Sequence, residues 1–362
     1  MFDLVPLEYY TLIFYNFEFI VMLSLVIKLF TKGNVIQNPN NKEYASLFLL
    51  IFITLYMGLR PISGKYFVDM GIYNSDFEKY ASGEKIKPSV DFFWHSFMKF
   101  CSTIMSAKIF FLVCAILYVV PLYKAAKNWL GVNKYILFFM FIASFSFWAY
   151  GTNGIRNGIG TSIFVLAVSY TNKKYLSYFL LVISYLIHGS LVIPIAAYVL
   201  TLFYKNPLHY LLAWILSIPL SLAFGGYFES FFYSLGFEDS RISYLIQGNI
   251  NNDDFAYTGF RLDFVMYSFT GIFAGYYFII RKNFRNKIYI KLFNLYAITN
   301  VFWILVIRAN FSNRFAYMSW FLITAVIFYP FLKAKFFKNQ NKVLAYVILG
   351  YFSFTYFMFL IT

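Results

Sequence analysis

Twelve mainly apolar stretches, separated by more polar segments, run the length of this sequence. They fall at about 9–30, 43–59, 107–124, 132–150, 155–171, 174–188, 189–204, 208–224, 261–281, 288–308, 314–333 and 342–361. A helix needs roughly 20 such residues to cross a bilayer, so the pattern predicts an all-α, polytopic membrane protein with about 12 transmembrane helices. The charge content agrees. Only 12% of the residues are charged, against roughly 25% in an average soluble domain, which is too few to cover a soluble surface. The 48 Phe and 33 Tyr suit a chain whose aromatic rings settle at the two membrane interfaces. The pair 174–188 and 189–204 is short and broken around His188-Gly189-Ser190. It reads as two short or tilted spans, or as one span plus a re-entrant piece. Residues 1–362 are expected to form a single transmembrane domain. The N-terminus has no positive n-region and no small-residue cleavage site, so its first apolar run is expected to stay as a helix.

Loop charge orients the chain, because cytoplasmic loops carry the excess of Lys and Arg. With both termini outside, the inside segments collect 18 of the 30 Lys and Arg residues and one acid, Glu43. Among them are Lys28, Lys124, Lys127, Lys134, Lys173, Arg281, Arg285 and Lys333. The outside segments are close to neutral. The net charge of +15 therefore reports orientation. It does not report nucleic-acid binding, since no basic face or nucleic-acid motif appears. Cys101 and Cys114 sit in apolar surroundings and read as small packing residues, with no metal-ligand spacing.

Two outside loops are long, at about 60–106 and 225–260. In the first, Phe93, Phe97, Phe100 and Ile104 recur at helical spacing. Asp91, His95, Lys99 and Ser102 lie largely between them, which predicts an amphipathic helix on the outer leaflet. The second holds Phe228, Phe231, Phe232 and Leu235 among acids. It predicts one or two short amphipathic helices and a flexible tip at Asn251–Asp254.

The arginines run against the orientation rule. Arg60, Arg156, Arg241, Arg261, Arg308 and Arg314 all fall outside, five of them at the outer end of a span. An Arg near hydrocarbon is costly, yet its fork suits phosphate and carboxylate. Convergence of these side chains on one outer cavity would make a pyrophosphate site. The plainer reading is that each snorkels to headgroups or pairs with an acid. Arg156 lies in Asn153-Gly154-Ile155-Arg156-Asn157-Gly158, at a helix start whose free N–H groups favour anions. Gly154 and Gly158 form a small-xxx-small pair for close helix packing. His188, at an outer span end, is the candidate general base; His95 and His209 are weaker candidates. Arg308 and Arg314 bracket a short outer loop and are placed to clamp one anion. Arg261 and Asp263 open a span, but residues two apart on a helix do not face each other. Asp69, Tyr73 and Asp76 follow Arg60 in the first loop, where a carboxylate would hold a sugar hydroxyl or act as base.

At these residues the sequence resembles the EpsG-like branch of bacterial Wzy-type polysaccharide polymerases. The resemblance spans about residues 44–320. It rests on Gly58-Leu59-Arg60 with Gly64, Asp69 and Tyr73, on Asn153 to Gly158 with Arg156, and on Lys173-Lys174-Tyr175 through His188-Gly189-Ser190. Gly259 to Asp263 and Arg314 complete it. One departure is the run Lys65-Tyr66-Phe67-Val68 before Asp69, where many relatives carry an Asp sooner.

The resemblance implies a glycosyltransferase of the bacterial cytoplasmic membrane. It would join oligosaccharide repeat units carried on undecaprenyl pyrophosphate, at the outer face, to build O-antigen, capsule or exopolysaccharide. The transfer would be inverting, with no metal and no cofactor. It implies His188, Arg156 and Arg314 as catalytic residues, and Arg60, Asp69, Tyr73, Asn153, Asn157, Arg261, Asp263 and Arg308 as substrate-binding residues. The partners are lipid-linked oligosaccharides, membrane lipid and, as a candidate, a chain-length regulator, with no nucleic acid. Two other readings stay open: a flippase or transporter of lipid-linked sugars, which would need an internal polar pathway, and an O-antigen ligase, which shares the same chemistry.

Overall fold

The computed structural model describes residues 5–31, 42–86, 91–234, 259–308 and 313–361. Every long element among them is helical: α1 (Leu7–Thr31), α2 (Lys42–Gly58), α3 (Val68–Ala81), α4 (Phe92–Ile104), α5 (Ala107–Leu130), α6 (Lys134–Ile142), α7 (Phe147–Thr152) and α8 (Ile155–Ser169). They continue as α9 (Lys174–Ile187), α10 (Val192–Phe203), α11 (Pro207–Ser234), α12 (Leu262–Gly275), α13 (Lys287–Leu305), α14 (Asn313–Lys333) and α15 (Gln340–Ile361). Seven of the described helices are long and apolar enough to cross a membrane. One of these, Ala107–Ile142, takes in the run at 107–124 and the first part of that at 132–150. Four shorter apolar helices, Glu43–Gly58, Ile155–Ser169, Lys174–Ile187 and Gly189–Phe203, cover four more.

The chain divides into two compact units, one of Met1–Gly189 with Phe331–Thr362 and one of Ser190–Pro330. The boundary falls at the His188-Gly189-Ser190 break.

In the first unit, α5 packs on α2 and α8, α8 on α9, and α1 on α15. Helix α8 is the centre: from Asn157 to Ser169 every residue is buried. Gly158 permits this, since a Cβ there would stand 2.6 Å from the Tyr150 carbonyl oxygen. Helix α9 buries Ser177, Leu181 and Ser184 on α8 and leaves Phe179, Val182 and Leu186 exposed, an apolar outer face suited to lipid.

The first long loop is more ordered than its sequence suggests. The amphipathic helix expected at 91–106 is present as α4, and a second helix, α3, precedes it. Trp94, Met98 and Cys101 face the protein, whereas Phe93, Phe100 and Ile104 are exposed. Of the second loop, residues 225–234 continue α11 beyond a kink at Phe224. The expected Asn251–Asp254 tip, Leu235 and Arg241 lie outside the described residues.

In the second unit, a polar network joins four helices. Asn300 donates to Ser268 Oγ at 3.1 Å and Ser319 Oγ at 2.8 Å, and accepts from Trp214 Nε1 at 2.7 Å. Trp320 Nε1 also donates to Ser268 Oγ, at 2.8 Å. The members are almost fully buried, and such satisfied networks hold membrane helices in register.

Candidate active site

The first unit has two chemically distinct ends. At one, the start of α1, the end of α2 and helix α7 are knitted together. Tyr10 and Tyr56 exchange hydroxyl-to-carbonyl bonds at 3.0 and 2.8 Å, and Trp148 Nε1 donates to Thr11 Oγ1 at 3.2 Å. The α8 start and the α9 end belong to this same end. Ser177 Oγ donates to the Ala167 carbonyl at 2.7 Å, which fixes the register of the antiparallel α8–α9 hairpin. Eleven residues back from Ala167 is Arg156, and eleven on from Ser177 is His188. At about 1.5 Å per residue both steps are ~16 Å, so the two side chains lie at the same depth.

Arg156 forms an ion pair with Asp91, the residue that opens α4. Its guanidinium is held at the junction of α4 and α8. Asn157 is buried and committed internally: its amide donates to Tyr150 OH at 3.3 Å and accepts from Thr161 Oγ1 at 3.1 Å. Asn153, where α7 ends, has a buried Oδ1 with no hydrogen-bond partner among the described residues. His188 ends α9 in an extended conformation and is buried.

Arg60 is 2% exposed. It donates to the Met57 carbonyl and, at 3.2 Å, to the Thr152 carbonyl. Its guanidinium carbon lies 5.2 Å from the Phe67 ring centre. It therefore binds the end of α2 to the end of α7, one residue before Asn153. Asp69 is half-buried in the first turn of α3. Tyr73, on the same helix, packs edge-on against Trp94 at 5.5 Å. Helices α3 and α4 are joined by Tyr80 OH and His95 Nδ1 at 3.0 Å. Burial, then Asp76 and Glu84, raise the Tyr80 pKa, which keeps the phenol protonated at neutral pH.

The other candidates lie in the second unit. Arg261 and Asp263 form a two-bond ion pair, at 2.9 and 2.6 Å. This corrects the expectation from helical spacing: Arg261 caps α12 with non-helical angles, so the rule for residues two apart does not govern it. Arg308 donates to the Leu222 carbonyl at 3.3 Å, beside the α11 kink. Arg314 stands in the first turn of α14.

Sequence reasoning missed two features. By sequence Asp91 is one polar position of an amphipathic helix; nothing local signals a partner on another helix. The buried Oδ1 of Asn74 and Nε1 of Trp94, both unpartnered among the described residues, add polar groups around α3 and α4. Among the described residues no group of three His, Cys, Asp or Glu side chains could hold a metal ion.

No curated protein and no solved structure matches the chain. The model of the EpsG family matches residues 43–362. That match takes in most of the first unit, all of the second and every candidate site residue, so the chain belongs to the EpsG family, a family associated with glycosyl transfer in polysaccharide biosynthesis.

Proposed function

We propose that this protein is a polysaccharide repeat-unit polymerase. It transfers a growing glycan from undecaprenyl pyrophosphate to a hydroxyl of an incoming lipid-linked repeat unit. The chain crosses the bacterial cytoplasmic membrane about twelve times as a single functional domain, with both termini and the arginine end of the first unit facing outward. The observation that carries this reading is the shared depth of Arg156 and His188 at one end of the α8–α9 hairpin. An anion-binding group and a base at one level suit a transfer with a pyrophosphate leaving group.

The chemistry is a displacement at the anomeric carbon. The bond from that carbon to the pyrophosphate oxygen breaks, and Arg156 stabilises the departing charge; Arg314, in the second unit, is a second candidate for catalysis. The acceptor oxygen bonds to the opposite face of the sugar, and its proton passes to His188. Asp91 holds Arg156 until the pyrophosphate competes for the guanidinium. Arg60 acts by fixing the end of α7. In the first unit Asn153, Asp69 and Tyr73 bind sugar groups, while Asn157, the other candidate of this segment, orders the α8 start through Tyr150 and Thr161. Arg261, Asp263 and Arg308 are the substrate-binding candidates of the second unit. The polyprenyl tails lie in the surrounding lipid.

Arg156→Ala and Arg314→Ala are expected to abolish polymer while single repeat units accumulate on the lipid carrier. Extraction of lipid-linked species from cells carrying each variant reads this out. Polymer of normal length from both variants removes the proposal. Finished polymer left on the lipid identifies a ligase, and inward-facing repeat units identify a flippase. Chelation of divalent ions with EDTA is expected to leave turnover unchanged; loss of activity restored by a divalent ion assigns a metal-dependent transfer instead.

A further inference from the structure

Glu18 sits near the middle of the 25-residue α1 and is 0% exposed. Neither carboxylate oxygen has a hydrogen-bond partner among the described residues. An ionisable group at that depth is costly, and an unpaired buried charge is among the most destabilising features a fold can hold. The transfer reaction makes no use of it.

Its surroundings are placed by contacts along α1. Phe14, one turn before Glu18 on the same face, stacks on Trp148 at 4.1 Å and lies 6.3 Å from Phe147. The neighbouring chain therefore runs back from Phe147 through residues 143–146 as α1 advances to Glu18. Those four residues are not helical: they interrupt the apolar run between α6 and α7. Helix α15 fixes the same level from the other side. Tyr356 OH donates to Asn16 Oδ1 at 3.0 Å, and Phe352 packs 6.3 Å from Phe19. Thr355, between them, donates to the Ala143 carbonyl at 3.1 Å. Glu18, Thr355 and the interruption thus share one level inside the first unit.

This level is rich in oxygen. Besides Glu18 it has the buried hydroxyls of Ser144, which donates to the Phe141 carbonyl, of Thr355, which donates to the Ala143 carbonyl, and of Ser146. Ser146 Oγ, like Glu18, has no hydrogen-bond partner among the described residues. Oxygens gathered around a hard cation at roughly 2.4 Å each sit too far apart to bond directly to one another. The C-terminal end of α6 also carries partial negative charge, which repels a bare carboxylate and attracts a cation. Interrupted membrane helices use unwound carbonyls and helix C-termini in this way.

We propose that Glu18 is the carboxylate ligand of a monovalent alkali cation bound at the α6–α7 interruption, with Ser146 and the adjacent carbonyls as neutral ligands. One carboxylate balances one positive charge; a divalent ion would leave an uncompensated charge in the protein interior. The ion fixes the interruption and with it α7, whose last residue Thr152 accepts from Arg60.

The test follows thermal unfolding of the full chain in detergent, with NaCl replacing choline chloride at constant ionic strength. The native protein is expected to show a saturable rise in its unfolding midpoint of several degrees, as binding to the folded state requires. Glu18→Gln, a neutral isostere, should lose that rise. Ser146→Ala, with Glu18 intact, should need at least several-fold more NaCl for half the effect. A rise with KCl that Glu18→Gln removes supports the same class of site. Absence of any rise with NaCl or KCl in the native protein overturns the proposal and leaves Glu18 with a proton alone. An equal rise in native protein and Glu18→Gln overturns it by placing the ion elsewhere. Should Glu18→Gln fail to fold, an unchanged half-effect in Ser146→Ala overturns the site as placed.

Discussion

The two ends of the first unit hold their cations in different ways. At one end the cations are lysines: Lys28 closes α1, Lys127 lies in the last turn of α5, and Lys174 opens α9. Lys134, at the start of α6, is buried against Glu43, whose side chain is 58% exposed. The other end also carries lysines, such as Lys79 paired with Asp76 and Lys99 on the Glu84 carbonyl, but its two arginines are tied into the fold, with Arg60 on two carbonyls and Arg156 on Asp91. A lysine is a flexible point charge that satisfies an orientation rule from many positions. An arginine presents a planar fork, which is worth its desolvation only where geometry matches. On the proposed reading, charge number sets which way the helices point, whereas charge geometry sets where an anionic substrate would be held.

His188 offers the largest test of that contrast within the arginine end. His188→Ala is expected to lower turnover by about 10²–10⁴-fold, the usual worth of a positioned base, with binding of the lipid-linked donor nearly unchanged. Turnover of purified protein on lipid-linked repeat units, measured across substrate concentrations, separates the two. An unchanged rate moves the base to Asp69 or Asp263. A matching change at Lys173, at the far end of the same hairpin, would abolish the distinction between the ends.

Arg60 sharpens the comparison at a smaller magnitude. Arg60→Met removes donors from two carbonyls and should destabilise the fold by about 1–3 kcal/mol, the lost hydrogen bonds being offset in part by relief of charge burial. Thermal unfolding in detergent measures this. Arg60→Lys should not restore it, because the ammonium cannot span both carbonyls as the fork does. If Arg60→Met instead abolishes polymer with no change in stability, Arg60 touches substrate directly and its two carbonyl bonds are incidental.

Much of this fold is legible in hydropathy, and the illegible parts have physical reasons. Helix α3 is missed because Asp69, Asn74, Asp76, Glu78 and Lys79 leave no apolar run; it is amphipathic around Met70 and Phe77. The interruption at 143–146 is missed for the opposite reason: Ala143 and Phe145 keep the run apolar while Ser144 and Ser146 break its helix. Arginines at span ends are visible from their mismatch with the orientation rule. Their partners are not, since Asp91 and Arg156 are joined only by tertiary packing. The Arg261–Asp263 pair shows the reverse error, a helical rule applied one residue outside its helix.

The smallest effect belongs to the lysine end. Lys134 and Glu43 form an ion pair that also receives Tyr123, whose hydroxyl donates to Glu43 at 3.5 Å. The Lys134 ammonium lies 5.7 Å from the Tyr123 ring centre. Because Glu43 is more than half exposed, its half of the pair is screened, and exposed pairs contribute at most about 1 kcal/mol. Glu43→Gln should therefore cost less than about 1 kcal/mol in thermal unfolding and leave polymer length unchanged. The amide still accepts a hydrogen bond from Lys134, and the aromatic ring still faces the ammonium. A loss as large as that of Arg60→Met would mean that the buried Lys134 depends on Glu43 as closely as Arg60 depends on its carbonyls. The lysine end would then be built on geometry as well as charge.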